Sequence, residues 1–301
     1  MNKLAIIIPY YKISFFKETL KSLERQTSKK FNLYIGNDAS PEDPSDLIKK
    51  ILINTSYQYF QYEENIGRYS LVKQWDRIIS ESQEEEWVMI LGDDDIISEN
   101  TVEEFYKNLP NIEKYSCNVI KFSQCWIDEK GNALNTFTHY SQLIDPAQNL
   151  GFKIMKGERS SLSEHIFRRS KYLKYKFREF PLAWASDDVA IFEISEKKPI
   201  FFIDNAQVFV RISCENISGR TDNKDEKRKA KFSFEKYLLK NHYRNITKES
   251  LLKLVDDQIY YRYHFETPLG FNLFKVYLYL GNYKKILALP RTYFILNKIL
   301  K

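Results

Sequence analysis

The sequence predicts an α/β fold with a mostly parallel central sheet flanked by helices, followed by a helical C-terminal region. Three observations predict it. Apolar runs alternate with segments of helical spacing between residues 4 and 91, loop-forming residues follow these runs, and three consecutive carboxylates follow the last run. Such alternation is typical of a parallel sheet covered by helices, as in nucleotide-binding folds.

The first part of the chain contains the clearest elements. Short apolar runs bounded by turn-forming residues predict strands, and apolar residues at helical spacing between them, such as Phe16, Leu20 and Leu23, predict helices. The strands are predicted at residues 4–8, 31–35, 57–62 and 87–91, and the helices at residues 15–26 and 69–80.

Beyond Asp95 the pattern is mixed, so a purely doubly wound sheet is not expected there. A polar stretch at residues 218–231 lacks apolar periodicity and predicts the boundary between a main domain, residues 1–217, and a basic, aromatic-rich helical region, residues 218–301. Before that boundary, helices are predicted at residues 102–109 and 187–195, strands at residues 118–126, 199–204 and 206–212, and a hairpin turn at residues 128–132.

The net charge of +6 over 301 residues is unevenly distributed. Residues 1–219 carry 28 Lys and Arg against 32 Asp and Glu, whereas residues 220–301 carry 18 against 8. The basic character therefore belongs to the C-terminal region. No recognisable nucleic-acid reader module accompanies it, so we do not expect a nucleic-acid partner.

Cysteines and histidines give no metal or disulfide signature. The three cysteines, Cys117, Cys125 and Cys214, are an odd number without CxxC spacing, and the four histidines are scattered without an HExxH pair. The first apolar run is too short for a signal peptide, and no uninterrupted apolar run reaches the length of a membrane span. A cytoplasmic location is expected.

The most specific local signal is the carboxylate cluster Asp93, Asp94 and Asp95, directly after an apolar strand. Open α/β sheets bind ligands at that end of their strands, and clustered oxygen ligands suit Mg²⁺ or Mn²⁺ bridging a diphosphate. An acidic turn that caps the next helix is the alternative interpretation.

Six segments, taken together, resemble a family 2 glycosyltransferase. They occur in that family's order and approximate spacing within residues 4–212, roughly two thirds of the chain. The segments are residues 6–11 (IIIPYY), 20–27 (LKSLERQT), 37–40 (NDAS) and 65–68 (NIGR), followed by the DxD-like residues 93–95 and by residues 184–188 (WASDD) on the acceptor side.

The resemblance implies a GT-A fold and inverting transfer from a UDP- or dTDP-sugar. It divides the main domain into a nucleotide-sugar half, residues 1–97, and an acceptor half, residues 98–217. By the family pattern, Pro9 and Tyr11 line the nucleoside pocket, Asp38 accepts a hydrogen bond from the base, and Arg68 approaches the base or the phosphates. Turn chemistry and simple packing are the alternative explanations for the same residues.

The sequence departs from the family pattern in three places. Asn37 stands where the family often has Asp. In one DxD register Asp94 is the metal ligand and Asp93 contacts ribose or metal, whereas in the other the ligands are Asp93 and Asp95. The family often has a histidine after its last core strand, and here Arg211 is expected to supply charge to the phosphates instead.

An acceptor hydroxyl needs a base within hydrogen-bond reach, and Asp187 and Asp188 are the candidates. The family pattern assigns the base to Asp188, with Asp187 as second choice; either could instead cap the helix that follows. The implied partners are a nucleotide-sugar donor, Mn²⁺ or Mg²⁺, and a glycan or lipid-linked glycan acceptor.

The C-terminal region has two interpretations. It is either a helical subdomain or a basic amphipathic surface for the anionic inner face of a membrane, since no acidic residue follows Glu266. Six basic residues follow it: Lys275, Lys284, Lys285, Arg291, Lys298 and Lys301.

Two other functions compete with transfer. One is a non-catalytic sugar-nucleotide or glycan binding module, and the other is a nucleotidyltransferase, for which the expected glycine-rich loop after the first strand is missing.

Overall fold

The computed structural model describes residues 2–265 and 272–289, and nine strands of these residues form one sheet. The sheet runs in the order β3-β2-β1-β4-β8-β6-β9-β5, with β7 also paired to β9. The strands are β1 (Leu4–Tyr10), β2 (Phe31–Asn37), β3 (Tyr57–Gln61), β4 (Trp87–Ile90), β5 (Ile96–Ile97), β6 (Val119–Ile127), β7 (Leu143–Ile144), β8 (His165–Arg168) and β9 (Ile200–Arg211).

Helices connect the strands and continue beyond them, which confirms the predicted α/β class with C-terminal helices. A short 3-10 helix at Pro181–Ala183 precedes α7. The α-helices are α1 (Phe16–Glu24), α2 (Ser45–Ile51), α3 (Leu71–Glu81), α4 (Thr101–Lys114), α5 (Pro146–Lys156), α6 (Arg169–Tyr175), α7 (Ser186–Ile194), α8 (Lys224–Asn241), α9 (Lys248–Phe265) and α10 (Leu273–Leu280).

The strands β3, β2, β1 and β4 form the parallel half of the sheet. Residues Leu4–Ile8 of β1 are fully buried, as expected for a strand covered on both faces. Helix α1 contributes Phe16, Leu20 and Leu23 to the same core, which confirms its predicted apolar face. Because these strands are parallel, their carboxyl ends meet at one edge and bring the following loops together.

The other half of the sheet is mixed. Strand β8 pairs antiparallel with both β4 and β6, and β9 pairs parallel with β6. The two strands predicted at residues 199–204 and 206–212 are wrong as separate elements, because β9 is continuous. The polar residues Asp204 and Asn205, which suggest a turn, lie instead at a register shift opposite Phe122 and Ser123 of β6.

The described residues divide into two compact units. The first contains the whole sheet and comprises residues 2–146 and 160–223; the second comprises residues 147–159, 224–265 and 272–289. Helix α8 begins inside the polar stretch at residues 218–231; apolar periodicity is missing there because the first turns of the helix are polar and its buried residues, such as Phe234 and Leu238, come later.

Within the second unit, α8 packs on α9. Phe232 meets Tyr261 edge to face, with ring centroids 5.6 Å apart, and the amide of Gln258 donates to Glu235 at 3.2 Å. Burial raises the pKa of Glu235 to about 7. In the part of the chain that the structure describes, no helix is long and apolar enough to cross a membrane. The basic residues Arg291, Lys298 and Lys301 lie outside the described residues.

Candidate active site

A cleft of about 1110 Å³ opens in the first unit, where the parallel strands end. The residues that directly follow β1, β2 and β4 line it, among them Tyr11, Asp38 and Asp93. The loop after β3 and the first turns of α3 form one wall. Residues 179–183 and residues 215–217 form two further segments of the lining. This is the position at which open α/β sheets bind ligands.

Asp38 organises one wall of the cleft. Its carboxylate is almost fully buried and accepts hydrogen bonds from the backbone N–H groups of Ile66, at 2.9 Å, and Gly67, at 2.7 Å. A Cβ atom on Gly67 would lie 2.4 Å from Asp38 Oδ2, so only glycine permits this approach. Asp38 therefore shapes the loop at residues 65–68 as well as facing the cleft.

Three other residues predicted to bind the nucleotide also line the cleft: Pro9, Tyr11 and Arg68. Tyr11 is 39% exposed, and Arg68 is exposed. Within residues 2–265 and 272–289, the guanidinium of Arg68 makes no ion pair, and it lies 5.6 Å from the ring of Tyr69. Its charge is available to an anionic ligand.

Asn37 is separate from this group. Its side chain is buried, donates to the hydroxyl of Tyr59 at 2.8 Å and accepts from the backbone N–H of Ser40 at 2.8 Å. Asn37 does not line the cleft. Asn37 therefore stabilises the turn after β2, and both the nitrogen and the oxygen of its side-chain amide have partners inside the protein.

The three carboxylates of the cluster have different environments. Asp93 lines the cleft and accepts from the backbone N–H groups of Tyr11 and Lys12 at 2.8 and 2.9 Å. Asp94 also lines the cleft, and its Oδ2 accepts from Asn216 at 3.1 Å.

Asp95 is buried, and both of its oxygens are used inside the protein. One accepts from the hydroxyl of Ser163, and the other accepts from the backbone N–H of Arg211 at 2.8 Å. Asp95 does not line the cleft. The geometry therefore favours the register in which Asp94 and Asp93 face a ligand.

Burial and mutual proximity disfavour the ionised form of the three carboxyl groups. Burial, reinforced by the neighbouring Asp94, raises the pKa of Asp93 to about 7 and that of Asp95 to about 8. Burial also raises the pKa of Asp94. A divalent cation would relieve this repulsion.

The residues present fit such a cation in one specific way. Among the described residues, no group of three or more His, Cys, Asp or Glu side chains forms a ligand set. Mg²⁺ is commonly held by one or two carboxylates together with water and substrate phosphates. Asp94 and Asp93 suit that arrangement, in which a diphosphate completes the coordination.

Arg211 does not reach the cleft. It is 1% exposed, pairs with Glu18, and donates to the backbone carbonyls of Asp94 and Asp128 at 3.0 and 2.9 Å. Its guanidinium also lies 4.4 Å from the ring of Phe15. Arg211 thus supports the cluster from behind, and its charge is already paired within the protein.

Asp187 and Asp188 lie in the first turn of α7. The N-cap position belongs to Ala185, so neither aspartate caps the helix. Asp188 is buried at 5% exposure, whereas Asp187 is partly exposed. Neither lines the cleft, although residues 179–183, shortly before them in the chain, do.

The backbone leading into α7 is unusual. Leu182, Ala183 and Ala185 all have positive φ values, of 59°, 52° and 65°. A non-glycine residue in this region is uncommon and costs free energy, and such residues concentrate at functional sites. The strain therefore lies between the cleft wall and the helix that carries the two aspartates.

The lining residues that the sequence does not predict include Lys12, Trp75, Asn216 and Arg220. Lys12 directly follows β1, and a cation at the carboxyl end of a predicted strand is a signal that could have identified it. Trp75 lies in α3, the helix that follows the loop at residues 65–68, and this position in the chain is a signal that could have identified it. Asn216 and Arg220 lie where the sequence predicts the end of the main domain, and nothing local relates them to the carboxylates.

Comparison with known proteins shows the family of the chain. A model of glycosyl transferase family 2 matches residues 5–175, more than half of the chain. An uncharacterised glycosyltransferase of Mycoplasma genitalium is 31% identical over 130 residues. That match covers 41% of this chain and 42% of the relative, so it spans less than half the length of either protein.

Solved structures of TarS from S. aureus have a similar fold. Residues 1–349 of TarS align with a TM-score of 0.60 and 14% identity, covering 86% of this chain and 72% of that one. The same fragment in complex with UDP-GlcNAc aligns with a TM-score of 0.62, also at 14% identity. At this identity the likeness shows a common fold.

Proposed function

The chain belongs to glycosyl transferase family 2, and from this premise we propose that it transfers a sugar, with inversion, from a UDP- or dTDP-sugar to a glycan or lipid-linked glycan. One observation carries the proposal. Asp38, Arg68, Asp93 and Asp94 meet in one cleft at the carboxyl ends of β1, β2 and β4. This arrangement supports a site in which base recognition, phosphate binding and cation binding would lie side by side.

Donor recognition is proposed to depend on Asp38, with Pro9 and Tyr11 lining the nucleoside pocket. An ionised carboxylate accepts about four hydrogen bonds, and three of those on Asp38 come from Ile66, Gly67 and Arg77. The remaining acceptor position suits the imide N–H of uracil or thymine. Cytosine has no hydrogen at the corresponding ring nitrogen.

Asp94 and Asp93 would hold Mn²⁺ or Mg²⁺. Such a cation, when bound, neutralises charge on the diphosphate that departs. The chain's own residues then orient the donor: Arg68 is available for the base or the phosphates, and Asn216 holds the Asp94 carboxylate in place. Arg211, fully paired behind the cluster, is proposed to stabilise the backbone of Asp94 rather than to contact phosphate.

The acceptor hydroxyl is proposed to lose its proton to an aspartate at the start of α7 as its oxygen attacks the anomeric carbon. The family pattern assigns this role to Asp188, but its burial argues for Asp187, which keeps contact with solvent. Our proposal therefore reverses the order of the two residues. No covalent intermediate with the protein is required for inversion.

The donor proposal predicts a ranking of nucleotides. In the presence of Mn²⁺, UDP and dTDP are expected to raise the melting temperature more than CDP, because the ring N3–H of uracil and thymine can donate to Asp38 whereas N3 of cytosine carries no hydrogen. A ligand at 100 times its Kd stabilises by about 2.7 kcal/mol, which thermal shift readily detects. Calorimetric titration of UDP, dTDP, GDP and CDP gives the affinities.

Two outcomes would contradict parts of the proposal. Equal stabilisation by CDP would remove Asp38 from base recognition. Tight donor binding with no release of UDP from UDP-sugars, across a panel of glycan and lipid-linked acceptors, would favour the non-catalytic binding module instead.

Peripheral contact with an anionic membrane is proposed for α10 and the helical residues 283–289. Large apolar side chains are exposed there, most of all Tyr283, at 66%, and Leu287, at 82%. Lys275 and Lys284 are exposed beside them, and residues 272–289 contain no acidic residue. Aromatic side chains and basic residues together suit the surface of an anionic bilayer.

The expected result is co-sedimentation with vesicles of phosphatidylcholine and phosphatidylserine that weakens as salt rises, because surface charges are screened over about 8 Å at physiological ionic strength. Leu287→Asp is expected to abolish most of the binding. Ile53→Asp is the matched control, since Ile53 is 78% exposed on the other unit. Equal loss in both variants, or no binding at low salt, would contradict the membrane proposal.

A further inference from the structure

Arg77 of α3 occupies a mostly buried position next to the cleft without lining it. Its guanidinium donates to Asp38 Oδ1, to the side-chain oxygen of Gln74, and to the backbone carbonyl of Glu64 at 3.1 Å. The ring of Tyr62 lies against it, with 3.7 Å between Cζ and the ring centroid. One side chain thus contacts β2's end, the loop after β3 and its own helix.

The contact with Asp38 links Arg77 to the cleft loop. The same Asp38 oxygen that receives Arg77 also accepts from the N–H of Ile66, and the other accepts from Gly67. The carboxylate is therefore held by one cation and two backbone groups, and two of these three donors bond to Oδ1. Only Asp38 Oδ2 keeps an acceptor position for a ligand.

We propose that Arg77 is a positioning residue for nucleotide binding, which it serves by fixing the Asp38 carboxylate and the loop at residues 64–68. This rests on the proposed function only in the identity of the ligand. A planar guanidinium can donate in its plane while its face stacks on an aromatic ring, which a lysine ammonium cannot do. Loss of Arg77 leaves a buried carboxylate without its cation, so the carboxylate and the loop must rearrange.

The test compares Arg77→Gln, Arg77→Lys and the control Lys73→Gln. Lys73 lies on the same helix, is exposed and does not line the cleft, so its substitution makes the same charge change. Arg77→Gln is expected to raise the Kd for UDP about tenfold, within the range for residues coupled in one hydrogen-bond network. Arg77→Lys should recover part of that loss, and Lys73→Gln should match the wild type.

Two further readouts separate positioning from a general structural role. At saturating donor, kcat is expected to stay within about twofold of wild type while KM for the donor rises. The reason is that the lost interaction stabilises the bound donor and the transition state equally. Without nucleotide, the amides of Ile66 and Gly67 should exchange hydrogen faster in Arg77→Gln, whereas amides of the β1 core should not. In an Asp38→Asn background the effect of Arg77→Gln on UDP affinity should largely disappear.

An unchanged Kd for UDP in Arg77→Gln, when the wild type binds UDP, would overturn the inference and leave the proposed function standing. If the wild type binds none of the nucleotides, the donor assignment fails, and amide exchange alone decides the inference. Faster exchange at Ile66 and Gly67 would then uphold the positioning role, and unchanged exchange would overturn it.

Discussion

Replacing Asp94 with alanine is expected to lower turnover about 100-fold or more, because a cation that neutralises leaving-group charge contributes several kcal/mol to the transition state. The Mn²⁺-dependent part of UDP affinity should fall with it. Stability should hold or rise, since the substitution relieves repulsion in a cluster whose three carboxyl groups all have raised pKa values. Turnover, calorimetric titration with and without Mn²⁺, and melting temperature measure the three quantities.

Asp95→Ala is the contrasting variant. It would leave the hydroxyl of Ser163 and the backbone N–H of Arg211 without their shared acceptor, and an unsatisfied buried group costs about 1–3 kcal/mol. A lower melting temperature is therefore expected for Asp95→Ala and not for Asp94→Ala. If wild-type turnover persists in excess EDTA, the cation role fails; if Asp95→Ala keeps its stability and loses Mn²⁺ dependence, the other register is correct.

The parallel half of the fold could be predicted from the sequence because its signals are local. The apolar run of β1 and the helical spacing of Phe16, Leu20 and Leu23 each lie within a few residues of one another. The cluster at Asp93–Asp95 was expected at a strand end for the same reason. Once the strands are parallel, their loops must meet, and the general position of the cleft follows.

The roles within the cleft could not be predicted in the same way. Asp95 turns inward because of Ser163 and Arg211, which are 68 and 116 residues away in the sequence. Arg211 pairs with Glu18, 193 residues away, and this ion pair holds its guanidinium outside the cleft. Spacing identifies a group of carboxylates, whereas long-range contacts decide which of them faces a ligand.

The same limit applies to β9 and Arg77. Asp204 and Asn205 have the composition of a turn, and only pairing with β6 shows that they form an irregularity within one strand. Arg77 has the appearance of a solvated helix residue in the sequence. Its pairing with Asp38, 39 residues earlier, depends on how α3 packs beside β2.

The base proposed at the start of α7 leads to the second large expected effect. Asp187→Asn is expected to lower turnover by about 10² to 10⁴-fold, the usual contribution of a positioned general base, because an amide keeps the shape of the side chain and cannot accept the proton. UDP affinity should be retained, since Asp187 does not line the cleft proposed to bind the donor. Asp188→Asn is the matched control in the same turn of α7, and we expect a smaller loss of turnover from the more buried residue.

The decisive measurement is turnover at saturating donor for both variants, with UDP affinity and melting temperature measured beside it. Normalising to the folded fraction separates lost chemistry from lost structure. An inactive Asp188→Asn beside an active Asp187→Asn would return the base to Asp188, as the family resemblance assigns it. Near wild-type turnover in both variants would mean that neither carboxylate takes the proton, because a lost base cannot be compensated by the groups that bind the donor.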